Sequence, residues 1–197
     1  MFMLTLTGGP VPDNAGNCNR SNRMLARNGL QRADWRQNRN ESVTKMPTRH
    51  DPGPAFRALH RKGDPFILAN AWDAGSARML AALGAEAIAT SSAAHAFTLG
   101  LPDGGHVTRD QALAHAEALV GATPLPVSGD FENGFGDAPD TVAETVRLAA
   151  EAGLAGISIE DTSLPGGAPY DRVLAVERIR AAVSAARALP RDFVLVA

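Results

Sequence analysis

The chain has 197 residues, of which 45% are hydrophobic and 20% charged, and its formal net charge is -2. This composition is ordinary for a globular protein and gives no reason to expect nucleic acid or an anionic membrane as a partner. Its one cysteine, Cys18, excludes an intrachain disulfide, and no apolar run is long enough to span a bilayer. The first residues lack the basic leader of a signal peptide, so the sequence predicts a cytoplasmic protein.

Residues 1–50 differ from the rest of the chain, because asparagines and arginines alternate there without apolar periodicity. Such a segment buries too little apolar surface to offset the entropy of ordering it. We interpret it as a disordered or mis-assigned N-terminal tail, with Met46 as an alternative first residue. A basic interaction arm is the other interpretation. Residues 51–197 are predicted to be the N-terminal part of a TIM-barrel catalytic domain.

From Pro54 onward, strand and helix patterns alternate with short connections. Helices are predicted over 55–61, 73–83, 109–120, from about 140, and over 170–188. Buried strands are predicted over 66–69, 86–90, 125–129, 155–159 and 193–197. The small residues 91–94 are expected to form a loop. This regular alternation favours right-handed βαβ units and a parallel sheet.

Two architectures agree with that alternation: an open doubly wound sheet and a (β/α)8 barrel. Acidic residues follow several of the predicted strands, which favours the barrel, because barrel enzymes place their chemistry at that face. The open five-stranded sheet is the alternative, but the chain lacks a phosphate-binding glycine-rich loop after its first strand. Five strands cannot close an eight-stranded barrel. We therefore expect an α/β fold of the TIM-barrel type, truncated after about five β/α units.

Carboxylates follow the third and fourth predicted strands. Asp130 and Glu132 are two residues apart, so in extended backbone they would point to the same face. Glu160 follows the fourth strand in the same way. Converging carboxylates repel one another unless a cation lies between them, and Mg2+ prefers such oxygen ligands. Each acid alone could be a helix cap or a solvated loop residue, whereas the set predicts a metal site at the carboxyl ends of the strands.

The order of the motifs resembles the isocitrate lyase/phosphoenolpyruvate mutase superfamily from about Phe56 to Ala197. The matching segments are 70–78 (NAWDAGSAR), 90–93 (TSSA), 101–103 (LPD), 130–136 (DFENGFG) and 159–161 (IED). The resemblance implies a Mg2+ cofactor held by Asp130, Glu132, Glu160 and Asp103. It also implies that the substrate's anionic end is held by the segment Ser91, Ser92 and Ala93.

Three departures from the family pattern affect the expected reaction. Glu132 stands where the family usually has Asp, and the chain ends before an arginine that grips substrate in the family. In lyase members, a loop after the Glu-Asp pair carries a cysteine that acts as acid and base. Here the corresponding residues 162–170 contain no Cys, His or Lys. The catalytic acid or base is therefore not identified, and Cys18 lies too far away in the sequence to replace that cysteine.

The resemblance implies an enzyme that acts on small 2-oxo acids or phosphonates by stabilising an enolate. Without the lid cysteine, we expect a phosphonomutase, a P–C hydrolase or an oxaloacetate decarboxylase. A carbon–carbon lyase of the methylisocitrate lyase type with an unusual acid is the alternative. A non-catalytic truncated remnant is the alternative from another class. We expect a homo-oligomer for the full-length protein. His95 is predicted to be a surface residue. Tyr170 is predicted to pack at the start of a helix.

Overall fold

The computed structural model describes residues 51–197, which lie within the unit Arg49–Ala197. The predictions for residues 1–50 and for Cys18 concern residues outside this described part. The helices are α1 Gly53–Leu59, α2 Ala74–Ala82, α3 Ser92–Thr98, α4 Arg109–Ala122, α5 Pro139–Glu151 and α6 Arg172–Ala188. The strands are β1 Ala69–Asn70, β2 Ile88–Ala89, β3 Val127–Asp130, β4 Gly156–Ser158, β5 Thr162–Ser163, β6 Ala168–Pro169 and β7 Val194–Val196. None of these helices combines the length and apolar character needed to cross a membrane.

Five strands form one parallel sheet, and their order in space, β1-β2-β3-β4-β7, is their order in the chain. A doubly wound sheet would reverse direction at a switch point. Here each new strand is added on the same side of the preceding one. Because such connections are right-handed, α2, α4, α5 and α6 lie on one face of the sheet, where they form a layer of neighbouring helices. This winding is that of a TIM barrel, as the sequence predicts. The described strands form an open part of such a barrel.

The main core lies between the sheet and this helix layer. Ile88, Val127 and Ile157 point into it from three neighbouring strands and are fully buried or nearly so. A smaller cluster forms around Phe56 of α1 and includes Ala87 and Ala155, which precede β2 and β4. Helix α1 therefore packs near the beginnings of the strands. The polar side chains that follow the strands gather at the other end of the sheet.

Two predicted elements differ from the structure. The predicted buried strand 66–69 is wrong, because β1 begins only at Ala69 and Ile67 is 85% exposed. This segment is at the edge of the sheet, so its apolar residues have few neighbours to bury them. The predicted loop 91–94 is also wrong, since α3 begins at Ser92. The Ser91 hydroxyl accepts a hydrogen bond from the Ala94 amide (3.3 Å) and caps that helix.

Candidate functional site

The candidate site begins at Asp130, the last residue of β3. Its Oδ2 accepts hydrogen bonds from the Ser92 amide (2.8 Å) and the Ser92 hydroxyl (2.9 Å). The Asp130 amide donates to the Thr90 hydroxyl (2.7 Å), and the Ser158 hydroxyl lies 3.5 Å from Oδ1. The start of α3 thus fixes this carboxylate. Ser92 was expected to contact the substrate. In the structure its amide and hydroxyl instead contact Asp130, a predicted metal ligand.

Glu132 lies in a turn beyond β3 and not in the strand. Its backbone is left-handed, with φ of 46°, and Phe135 adopts φ of 62° in the same turn. For residues other than glycine, this conformation costs about 1–2 kcal/mol each. The prediction that Asp130 and Glu132 point to one face because both lie in extended backbone is therefore wrong. The turn brings the Glu132 side chain back to a position that is only 3% exposed.

Three other carboxylates surround the buried carboxylate of Glu132. Burial raises the pKa of Glu132 most, and the charges of Asp103, Asp130 and Glu160 raise that pKa further. A hydrogen bond from the Gly105 amide to Oε1 (3.2 Å) lowers the pKa in part. The structure therefore brings the four predicted metal ligands into electrostatic range of one another. Negative charge gathers here in a way that a bound cation would relieve.

Glu160 reaches the site from the neighbouring strand end, and it is exposed. Its amide donates to the Glu132 carbonyl (2.7 Å), which joins the segment after β4 to the turn after β3. Its carboxylate accepts a hydrogen bond from the Thr162 hydroxyl (3.3 Å). Asp161 is also exposed, and its carbonyl accepts from the Tyr170 amide (2.8 Å). Glu160 thus faces solvent beside a more deeply buried acid.

An antiparallel hairpin, β5 paired with β6, follows the Glu160-Asp161 pair. Leu164, between its two strands, packs against the loop that carries Asp103. A Cβ added at Gly105 would lie 3.0 Å from the Leu164 Cβ, and Gly105 has φ of 82°. Glycine therefore permits both this backbone conformation and the close approach of Leu164. The hairpin therefore contacts the same residue whose amide holds Glu132.

The donor set can be tested against the predicted Mg2+. Within residues 51–197, no three His, Cys, Asp or Glu side chains are grouped closely enough to form a ready-made metal cluster. Mg2+ does not require such a cage, because it keeps several waters and commonly uses one or two carboxylates. Asp130 and Glu132 offer hard oxygen ligands, and in the described part of the chain neither carboxylate accepts a hydrogen bond from a Lys or Arg side chain. Their chemistry therefore fits Mg2+.

The prediction that His95 is a plain surface residue is wrong. Its ring nitrogens are buried, and its ring stacks on that of His115, with centroids 4.0 Å apart and planes 12° apart. Burial, and secondly His115, lower the pKa of His95. A small cavity connects this ring to Asp130 and Glu132. Sequence reasoning missed the pairing because His115 lies on the next helix.

The sequence analysis also missed a polar cluster behind the turn. The Tyr170 hydroxyl accepts from Asn133 Nδ2 (2.9 Å) and donates to Asp137 Oδ1 (2.6 Å). Arg178 of α6 is only 1% exposed and donates to carbonyls of the same turn. A sequence signal existed, because Arg178 lies on the same helical stripe as the buried Ala182 and Ala185. An arginine on such a stripe indicates a buried polar contact.

Comparison with known proteins identifies the family. The family model for phosphoenolpyruvate phosphomutase matches residues 56–197. The chain belongs to this family. Among curated proteins, this phosphoenolpyruvate phosphomutase family member is 38% identical to a 2-methylisocitrate lyase of Salmonella typhimurium over 144 residues, 69% of this chain and 49% of that protein. It is 35% identical to an oxaloacetate decarboxylase of Pseudomonas entomophila over 143 residues, with the same shares.

Solved structures agree. A protein of Burkholderia cenocepacia J2315 described as a lyase or mutase is 56% identical, with a TM-score of 0.71, covering 75% of this chain and 53% of that one. A 2,3-dimethylmalate lyase is 32% identical, with a TM-score of 0.68, covering 74% and 52%. The chain thus spans about half the length of the relatives it matches. The expected superfamily and barrel-type fold are confirmed.

Proposed function

We propose that this family member binds Mg2+ at the end of β3 and acts on small 2-oxo acids or phosphonates. The observation that carries the proposal is the buried Glu132 carboxylate, which lies among Asp103, Asp130 and Glu160. Grouping like charges in a buried position costs free energy, and such groups are typical of sites that bind a cation or carry out a reaction. The position at the carboxyl ends of parallel strands is where barrel enzymes carry their sites. Bound there, Mg2+ would stabilise negative charge on an enolate oxygen as a Lewis acid.

The proposed roles of the residues follow from their contacts. Asp130 is held by Ser92 and so presents its other oxygen toward Ser158 and the site. Glu132, anchored by Gly105, is the second candidate ligand, while the exposed Glu160 and Asp103 are placed to bind the ion's waters. The substrate's anionic end remains assigned to the segment 91–93. To bind the substrate, Ser92 would have to release its hydrogen bonds to Asp130.

The reaction class follows from the hairpin over the site. Its residues 162–170 contain no Cys, His or Lys that could serve as the acid in cleavage of a carbon–carbon bond. Reactions that need only enolate stabilisation are therefore favoured: oxaloacetate decarboxylation, phosphonopyruvate hydrolysis or phosphoryl migration. The 2-methylisocitrate lyase relative supports carbon–carbon cleavage as the second candidate. A cytoplasmic location and a homo-oligomeric full-length protein remain part of the proposal.

The test separates metal binding from turnover. Titration with Mn2+, followed by its paramagnetic resonance signal, should show binding to the chain and competition by Mg2+. Asp130→Ala should abolish binding, whereas Asp64→Ala, an exposed acid in a surface ion pair, should leave it unchanged. Undiminished binding by the Asp130 variant would overturn the metal assignment.

Turnover is then measured with oxaloacetate, 2-methylisocitrate and phosphonopyruvate, with and without Mg2+. Metal-dependent pyruvate release from oxaloacetate is the result we expect for a decarboxylase, and it should vanish in Asp130→Ala. Phosphorus NMR reports the mutase and hydrolase reactions. Metal binding without turnover of any of these substrates would favour the non-catalytic alternative.

A further inference from the structure

Arg178 is the largest fully buried side chain in the described part of the protein. Its Nη1 donates to the carbonyls of Gly136 (2.5 Å) and Asp137 (2.7 Å), and its Nη2 donates to the Asn133 carbonyl. A buried guanidinium is tolerated only when its donors are paired, because removing the charge from water is otherwise costly. Here all three hydrogen bonds go to one short segment. That segment belongs to the turn that follows Asp130 and contains Glu132.

Tyr170 completes this contact from the base of the hairpin. Its ring lies 4.2 Å from the guanidinium carbon of Arg178, in cation–π geometry. Its hydroxyl joins Asn133 to Asp137, and so bridges two residues of the same turn. Asn133 in turn accepts a hydrogen bond from the Phe135 amide (3.0 Å). Arg178 and Tyr170 therefore hold the turn by both its backbone and its side chains.

The turn needs such support because of its own geometry. Glu132 and Phe135 are both left-handed, a conformation that persists only where surrounding contacts impose it. From α5, the Thr145 hydroxyl donates to the Gly134 carbonyl (2.8 Å) and gives a second, separate anchor. Loss of the contacts from α6 would therefore loosen one side of the turn and leave the other attached. The buried position of Glu132 depends on both sides.

We propose that Arg178 and Tyr170 are positioning residues, which hold the turn 131–137 so that Glu132 is presented beside Asp130 for a divalent cation. Neither residue touches the ion or the substrate in this assignment. Both act through the backbone that carries Glu132. The inference rests on the proposed function, because the ion is part of that function. The contacts of the turn itself do not depend on the ion.

The experiment uses Arg178→Gln, Arg178→Lys and Tyr170→Phe, with Arg187→Gln as the matched control on the exposed part of α6. Amide hydrogen exchange of Gly134, Phe135 and Glu160 reports the order of the turn, since their amides are hydrogen-bonded within it or to it. Mn2+ affinity reports its effect on the site. We expect faster exchange at these amides and about 10- to 100-fold weaker Mn2+ binding in Arg178→Gln.

The variants should form a graded series. Arg178→Lys keeps the charge but loses the fork of donors, so its effect should be smaller than that of Gln. Tyr170→Phe keeps the ring over Arg178 and loses only the bridging hydroxyl, and its effect should be the smallest of the three. Arg187→Gln should resemble the wild type in both measurements. If Arg178→Gln fails to fold, the Lys and Phe variants still decide the question.

Two results would overturn the inference. One is unchanged exchange and unchanged Mn2+ affinity in these variants, when the wild type binds the ion. The other is faster exchange spread through the whole sheet, including the Ala155 amide that donates to Val127, because it indicates a general loss of stability. If the wild type itself binds no Mn2+, the proposed function fails, and local exchange at the turn alone decides whether Arg178 and Tyr170 position it.

Discussion

The acidic segment after β3 is buried and anchored, whereas the acidic segment after β4 is exposed. Glu132 is 3% exposed and is held by the loop before α4, while α5 and α6 hold the turn around it. Glu160 and Asp161 face solvent, and within residues 51–197 the Glu160 carboxylate accepts a single, long hydrogen bond from the Thr162 hydroxyl. Both segments follow apolar strands and are linked by one backbone hydrogen bond between Glu160 and Glu132.

The difference shows that neighbours determine how a strand-end acid behaves. Strand β3 lies in the middle of the sheet, so α3, the 103–105 loop and α6 all meet at its end. Among the described residues, β4 is followed in the sheet by β7, and the residues after β4 lead into the hairpin of β5 and β6. The first segment can therefore hold a charge in a low-dielectric position. The second segment is exposed and is therefore suited to water-mediated contacts.

The largest effect should come from the core side chain that anchors the β3 segment. Phe131 is 1% exposed and packs over Gly129, where an added Cβ would lie 2.2 Å from the Phe131 ring. Phe131→Ala should lower the free energy of unfolding by about 3–5 kcal/mol, because it leaves a cavity. Thr162→Ala, in β5 just after Glu160 and Asp161, should change the free energy of unfolding by no more than about 0.5 kcal/mol. Urea denaturation measures both, and equal losses would contradict the contrast between the segments.

An intermediate effect should come from the hydroxyl that holds Asp130. Ser92→Ala removes a hydrogen bond to a carboxylate and keeps the amide that donates to the same oxygen. We expect a loss of about 1.5 kcal/mol in the free energy of unfolding at neutral pH. Ser163→Ala, whose hydroxyl donates to the Ala168 carbonyl in the hairpin, is the matched control and should cost less. If Ser163→Ala lowered the free energy of unfolding more than Ser92→Ala, the segment after β4 would be the more firmly held of the two.

The smallest effect should have the opposite sign. In the absence of divalent ions, Glu132→Gln should stabilise the protein by about 1 kcal/mol at pH 7.5, because it removes a buried charge. Glu132 has a raised pKa in the folded state, so the folded state binds its proton more readily. The wild-type penalty is therefore full above the folded-state pKa and disappears as the pH falls below the unfolded-state value.

Denaturation of Glu132→Gln and Glu160→Gln at pH 7.5 and at pH 4 tests this sign. The stability advantage of Glu132→Gln over the wild type should shrink at the lower pH, and saturating Mg2+ should reverse it by stabilising only the wild type. Glu160→Gln should change stability little at either pH without Mg2+, because that carboxylate is exposed. A Glu132 variant that is less stable than the wild type without metal would show that its carboxylate makes a favourable contact in the folded protein.

Much of the fold was predictable because it depends on local patterns. Apart from α3, the predicted alternation of strands and helices was confirmed from Asp73 onward, and Asp73, at the start of the predicted helix 73–83, caps α2 through the Ser76 amide (2.7 Å). The apolar run 66–69 was misassigned because periodicity does not tell whether a partner strand will cover it. Helix α3 was missed because Ser91 and Ser92 are equally typical of loops and helix starts.

Residue order and spacing were enough to predict the barrel-type winding, the family and the carboxylates that follow the strands. Which of those carboxylates is buried depends on contacts between elements that are distant in the chain. The tertiary structure also showed that Ser92 binds Asp130, that His95 stacks on His115, and that Arg178 supports the turn from α6. These contacts join residues that are 20 to 45 positions apart. The physical reason is that burial and charge pairing arise between elements, where neither spacing nor periodicity along the chain specifies them.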